Sequence, residues 1–430
     1  MERKNENIRY FSLLFIGQTI SDLGTSMTGF ATVIWAYSEK GQAMDSSLLA
    51  VCSILPYLIV SLWGGAAADQ VNKKKIMLVC DLAAAAGSLV ILVSCVFNVL
   101  QLWILCLVNA VSGFMNAFQK PASQVAVTLL INREDYARVS GIQSAVKGGM
   151  GIFKPVLAAA LLSAGGLELV LIVDLATFFF AFITLLLFVK IPDQVKADEQ
   201  TGFRAVWEGL KEGLRFIRKE RAILVLLSMY SILELIGAIS FDGMFYPLVL
   251  ARTGNNEQAV GTISAFMAAG CLASSMMLSV MRPPKRKLWW MYFGSYLCLA
   301  GITCFGMGRN MPWWCAVVFL GCFGSPVYHT FQTVIIREKV DVSMQGRVFS
   351  VQGMMTEILT PAGYLFGAFL ADYVFEPFMG KEGPLQNMLA VMVGRGKGAG
   401  MGLIFVLAGM LGIILLSVLR KNSMLRGLEE

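Results

Sequence analysis

Apolar residues in this chain come in long unbroken runs, not in the alternation of a strand or the single stripe of a soluble helix. Runs of about twenty, the length that crosses a hydrocarbon core, occur at 10–37, 46–68, 75–97, 101–122, 138–163, 167–190, 222–250, 258–281, 287–307, 312–335, 347–373 and 400–420. Each predicts a helix, because a lipid-exposed strand edge would leave backbone groups unpaired. The expected fold is an all-α polytopic membrane protein with twelve transmembrane helices. Composition agrees: at 57% hydrophobic and 15% charged, the chain carries more apolar surface than a soluble domain of its size buries.

A faint internal echo divides the pattern. At one constant offset close to half the chain, Phe114 matches Phe319, Phe118 matches Phe323, Pro121 matches Pro326, Thr128 matches Thr333 and Gly141 matches Gly346. This predicts two pseudo-symmetric six-helix halves, 1–190 and 222–430, with a site between them. On this reading Pro121 and Pro326 end the fourth and tenth spans, and Gly141 and Gly346 open the fifth and eleventh. The joining segment, 191–221, is a cytoplasmic linker in which Phe203, Val206, Trp207, Leu210, Leu214 and Ile217 recur at helical spacing. That amphipathic stripe lies either on lipid headgroups or on the protein.

Charge sets the orientation. Most lysines and arginines fall in alternate loops, notably Lys73 to Lys75, Lys190 to Arg221 and Arg282 to Lys287, so those loops and both termini are expected in the cytoplasm. Arg3, Lys4 and Arg9 look like the start of a signal peptide, but the run after them is too long and is read as an uncleaved first helix. The net charge of +7 sits beside anionic lipid, which removes it as an argument for nucleic-acid binding. The nine cysteines lie in the spans without a CxxC pair, so they read as packing residues, and neither a metal nor a cofactor is expected. Alternating glycines from Gly394 to Gly402 imitate a phosphate loop but lack a preceding strand and a Lys-Ser or Lys-Thr end, and read as a flexible outer entry to the last helix. Between Glu376-Pro377 and Val393 a short surface helix is expected.

The segment Gly64 to Met77, GGAAADQVNKKKIM, resembles the signature loop of the major facilitator superfamily. The resemblance makes Gly65 a point of close helix approach, Asp69 the acid of the loop, and Lys73, Lys74 and Lys75 its basic run. Gln70 and Asn72 depart from the pattern, and lysines replace arginines whose bidentate contacts they cannot reproduce. A carboxylate at a helix end is stabilised by a cation and a facing helix N-terminus. Asp69 is therefore expected to dock on Arg347, as a cytoplasmic gate. The stretches EGLKEGLRFIRKERAILVLL (Glu208 to Leu227), QGRVFS (Gln345 to Ser350) and FEPFMGKEGP (Phe375 to Pro384) resemble the macrolide-efflux-like, drug:proton antiporter branch of bacterial members. That implies a multi-pass transporter of the bacterial cytoplasmic membrane working by alternating access. In the fifth span, however, Lys154, Ala158 and Ala159 stand where the wider antiporter pattern has glycines.

Charges inside the membrane point to mechanism, since each costs about 2.5–3.5 kcal/mol at mid-bilayer and so faces a cavity. The candidates for proton coupling and for the substrate cavity are Asp22, Glu234, Asp242, Lys147, Lys154 and Glu357. Asp22 and Glu234 occupy equivalent depths in the first and seventh spans and are expected to face a central cavity, where desolvation lets a carboxyl exchange protons. Lys147 and Lys154 share a helix face; they either pair with acids or bind an anionic, lipid-like group. Asp81, Asp174 and Asp372 lie near span ends and read as capping or interfacial, and His329 as a packing residue or a proton relay.

No GxSxG, HExxH or Cys/His constellation supports an enzyme. The expected activity is proton-coupled export of amphiphilic drugs such as macrolides. The alternatives are export or flipping of a lysolipid, siderophore or other metabolite, or a membrane sensor that does not transport. The expected partners are a small amphiphilic solute, protons and membrane lipids, and a monomer is expected.

Overall fold

The computed structural model describes residues 2–131, 136–191, 203–281 and 284–421, and within them the chain is helical between short turns. The helices run α1 (Glu2–Lys40), α2 (Ala43–Gln70), α3 (Lys73–Val96), α4 (Leu102–Leu130), α5 (Tyr136–Ile183) and α6 (Phe203–Lys219). They continue as α7 (Arg221–Gly237), α8 (Gly243–Thr253), α9 (Glu257–Val280), α10 (Lys287–Met307), α11 (Met311–Lys339) and α12 (Val342–Phe369). Two short helices, α13 (Glu376–Met379) and α14 (Pro384–Val393), precede α15 (Ala399–Arg420). Among the described residues ten segments are long and apolar enough to cross a membrane. One of these, Val146–Phe188, holds both the fifth and the sixth expected spans; α5 breaks between them at Gly165 and Gly166, and Gly166 takes φ +68, which a side chain would resist. The more polar α1, 39 residues long, is not among the ten.

Helices this apolar pack with their wetter side inward. Along α15 Leu407, Leu411, Ile414 and Val418 repeat at helical spacing and stay exposed, while Gly409, Gly412 and Leu416 on the opposite side are buried. An apolar stripe turned outward is the surface that lipid tails cover.

The chain forms two compact units: Met1–Glu39 with Leu48–Val206, and Lys40–Ser47 with Trp207–Glu430. The first has a core around Met77, Ala122, Ala126, Leu130 and Val189; the second is built on Leu226, Leu227, Met291, Val327, Ile336 and Val348. Both contain a backbone-to-backbone helix contact made by glycine. In the first unit Gly113 of α4 lies against the Ser53 carbonyl of α2, and in the second Gly270 of α9 lies against the Phe319 carbonyl of α11. A Cβ at either position would overlap that carbonyl, so close approach depends on the missing side chain.

The expected helix-ending role of Pro121 and Pro326 is corrected. Pro121 lies inside α4, which runs on to Leu130, and Pro326 inside α11, which runs to Lys339. Neighbouring helices and local adjustment tolerate a proline in a membrane helix where water would not. Three helices instead widen into π turns, Thr184–Phe188 after α5, Ala238–Asp242 after α7 and Leu370–Phe375 after α12.

Of the linker stripe residues whose side chains are described, Leu214 is exposed and Ile217 rests on protein. Ile217 of α6 is fully buried in the second unit's core, and Gly213 sits so close to the Arg347 carbonyl of α12 that a Cβ would touch it. The glycine-rich loop is likewise organised, not slack. Arg252, at the end of α8, donates to the carbonyls of Gly306, Gly308, Val393 and Gly398 at 2.5–3.0 Å. Gly394, Gly396 and Gly398 take φ of +86, +93 and +85 to wrap that guanidinium, and Gly402 leaves room for it. Here the short helices α13 and α14 also fold, with the Glu376 carboxylate accepting the Met401 amide at 3.0 Å.

Candidate transport cavities

Each unit encloses its own cavity. In the first, α1, α3, α4 and α5 surround about 440 Å³ lined by carboxamides, hydroxyls and three carboxylates, Asp22, Asp81 and Asp174. Asp22 is exposed to this space and pairs with Lys154 at 2.5 Å. Of the two open readings for Lys154, pairing with an acid is the one formed. Lys147 is exposed and does not border the cavity.

The other two acids are corrections to the expectation of capping or interfacial roles. Asp81, buried on α3, accepts from the side-chain amides of Gln18 at 3.2 Å and Gln119 at 2.5 Å. Asp174 is 3% exposed, and accepts from the hydroxyls of Ser88 at 2.7 Å, Thr28 at 2.9 Å and Thr25 at 3.4 Å. Position near a span end misled here, because helices of this length overrun the hydrocarbon core and their ends are wrapped by neighbours. Asp372 does cap: it accepts the backbone amides of Ala43 and Met44, the first residues of α2, at 3.0 and 2.8 Å.

In the second unit, α7 with its π turn, α9, α10 and α11 surround about 310 Å³. Glu234 and Asp242 are its carboxylates; Phe241, Met267, Leu233 and three thiols, Cys271, Cys298 and Cys322, supply apolar and soft wall. Glu234 accepts a short hydrogen bond from the Tyr328 hydroxyl. The His329 Nε2 lies 3.6 Å from the same Glu234 oxygen, and the Tyr328 and His329 rings stack at 4.1 Å. The sequence marked His329 only as a packing residue or a proton relay, and it did not mark Tyr328, which shares the same Glu234 oxygen. Asp242 reaches the cavity because the π turn that ends on it turns it away from the regular helical register. Glu357 is exposed and does not line this cavity.

The loop residues divide. Gly65 and Asp69 lie in the last turns of α2, and their side chains fall outside the described residues. Asn72 caps α3 by accepting the Lys75 amide at 3.1 Å, Lys74 reaches the carbonyls of Leu186 and Val189 at 3.0 and 2.7 Å, and Lys73 is buried with a contact to the Val71 carbonyl. The basic run thus ties α3 to the end of the α5 segment. Arg347 pairs with Glu212 of α6 at 2.6 Å.

A sequence model described as the Major Facilitator Superfamily matches residues 14–364. The chain belongs to the major facilitator superfamily. It is 23% identical over 379 residues to macrolide efflux protein A of Streptococcus pyogenes, covering 87% of this chain and 92% of that one. It is 22% identical over 376 residues to the multidrug efflux pump Tap of Mycolicibacterium fortuitum, covering 84% and 88%. Its fold is similar to a bacterial homologue of the iron transporter ferroportin in an inward-facing state, with a TM-score of 0.68, 14% identity, and coverage of 96% and 99%. Membership makes the two cavities candidate transport sites of a multi-pass membrane transporter.

Proposed function

We propose that this superfamily member is a proton-coupled exporter of amphiphilic cations, with macrolides the first class to test. It spans the bacterial cytoplasmic membrane twelve times with both termini inside. The observation that carries the reading is the second cavity: two carboxylates and one histidine stand in a wall otherwise apolar, aromatic or thiol apart from the hydroxyls of Ser295 and Ser325, and no Lys or Arg is among its lining residues. Such a space favours a positively charged amphiphile, whose apolar body replaces water on the wall while its cation faces Glu234. The sequence relatives named as macrolide and multidrug efflux proteins support the same class.

Exchange follows from competition for the carboxylates. With substrate bound, Glu234 is charged and faces the cation. A proton arriving from outside neutralises it, and the cation loses its partner and leaves. Asp22 serves the first half in the same way through its pair with Lys154, where protonation frees the lysine. Each proton moving inward contributes about 2.3 kcal/mol per 100 mV of membrane potential. Asp69, with the lysines that follow it and Arg347, is proposed as the cytoplasmic gate.

The experiment is export of a labelled macrolide, a cationic dye and a labelled lysolipid from an efflux-deficient host expressing the protein, with and without an uncoupler. Uncoupler-sensitive export of the first two supports the reading. Export of the lysolipid alone overturns the substrate class, and uncoupler-insensitive export overturns the coupling.

A further inference from the structure

Asp174 is a carboxylate without a counter-charge. It is 3% exposed within a membrane span, and among the described residues no lysine, arginine or histidine pairs with it. An isolated ion in that setting is costly unless it is hydrogen-bonded or neutralised. Its two oxygens are treated differently. Oδ2 receives both strong donors, Thr28 at 2.9 Å and Ser88 at 2.7 Å, whereas Oδ1 has only Thr25 at 3.4 Å. Thr25 lines the cavity and is exposed to it. The space at Oδ1 is reserved by Gly24, where a Cβ would stand 2.7 Å from that oxygen.

From this geometry we infer that Asp174 is a proton-binding seat of the first half, loaded from the cavity at Oδ1, where the Thr25 hydroxyl turns from donor to acceptor as the proton arrives. The step is balanced: the O–H bond forms at Oδ1 as one O–H bond of a hydronium in the cavity breaks and leaves water, and Thr25 exchanges one hydrogen bond for another. Oδ2 keeps its two donors throughout. The other titratable or charged groups on this cavity are accounted for: Asp22 on α1 and Lys154 on α5 neutralise each other. On α3, Asp81 is held by Gln18 and Gln119 and the Cys80 thiol donates to the Met115 carbonyl, while Lys120 on α4 lies over the Tyr57 ring at 4.2 Å. A proton on Asp22 competes with a lysine; one on Asp174 competes with no cation of the protein.

This inference rests on proton-coupled export, so its test begins with the unaltered protein. Purified full-length chain in liposomes is given an imposed pH gradient, and labelled macrolide accumulation and substrate exchange without a gradient are both recorded. One coupled proton multiplies the accumulation ratio about tenfold per pH unit of gradient. Asp174→Asn is expected to lose about that factor from accumulation, taken relative to its own exchange without a gradient. Thr25→Val, which removes a donor that favours the charged carboxylate, is expected to move the pH profile of accumulation to higher pH. If the unaltered protein accumulates macrolide without responding to the gradient, proton coupling itself fails and the seat with it. If the unaltered protein responds and Asp174→Asn responds equally, the seat is overturned and coupling stands. Where Asp174→Asn does not fold, Thr25→Val decides, and an unmoved pH profile overturns the seat.

Discussion

The cavity of the first half is polar and carries its own cation; the cavity of the second is apolar and carries none among its lining residues. Asp22 is answered by Lys154 at 2.5 Å, whereas Glu234 is answered by the hydroxyl of Tyr328 and by a histidine that is charged only when protonated. A carboxylate paired with a fixed cation is already neutralised as a pair and offers little to an incoming cation. One held by a neutral hydroxyl keeps its field and offers it to a ligand. On the proposed function the two units divide the work: the second attracts a cationic solute, and the first handles charge internally.

The largest expected effect tests the frame that the halves share. Gly113→Leu and Gly270→Leu each force a side chain into a backbone carbonyl of the neighbouring helix, and each should destabilise its unit by about 3 kcal/mol. Thermal unfolding of purified protein in detergent measures this. An unchanged midpoint in either variant would show that this helix pair is not closed by glycine. The contact joins equivalent helices in the two halves, yet the glycine sits on the fourth helix of one and on the helix equivalent to the second in the other.

Glu234→Gln comes next. It removes the charge but leaves the Tyr328 hydroxyl an acceptor, so folding should survive while gradient-driven export falls about tenfold per pH unit. Binding of a cationic dye should weaken in parallel, read by fluorescence titration, whereas a neutral amphiphile should bind unchanged. Equal losses for both ligands would mean that the carboxylate shapes the cavity and does not select charge.

The division of labour was only partly legible in the sequence. Runs of apolar residues located the membrane helices because lipid demands about twenty in succession whatever the tertiary context. Inward and outward faces were harder to read, since a helix solvated by lipid shows no polar stripe. Asp22 and Glu234 stood out through equivalent positions in the repeat. Asp174 did not: its donors Ser88, Thr28 and Thr25 lie 86, 146 and 149 residues away, and no local spacing marks them. Arg252 was hidden for the same reason, its carbonyl partners being scattered over the last helices. The prolines were misread because water, not lipid, set the rule applied to them.

A double-mutant cycle sharpens the first half's side of the comparison. Asp22→Asn and Lys154→Met singly, then together, should reveal a coupling of about 1 kcal/mol, discounted for the solvent that reaches Asp22 in the cavity. The readout is the unfolding midpoint in detergent. Additive single effects would mean that the pair is a surface contact of no energetic consequence, and the claim that the first half neutralises its own charge would fall.

The smallest effect isolates what a neutral partner does for Glu234. Tyr328→Phe deletes one hydroxyl and keeps the ring that stacks on His329, so about 0.5–1.5 kcal/mol of stability is at stake. Its consequence for transport runs in the same direction as that of Glu234→Gln and is smaller. Without the tyrosine donor the carboxylate loses the hydroxyl that orients it towards the cavity, so it faces a cationic substrate less firmly. Export should fall by a few-fold, and binding of a cationic dye should weaken less than in Glu234→Gln, which has lost the charge itself. Unchanged export and dye binding in Tyr328→Phe would place the tyrosine among the packing residues and leave His329, 3.6 Å from the same oxygen, as the partner of Glu234.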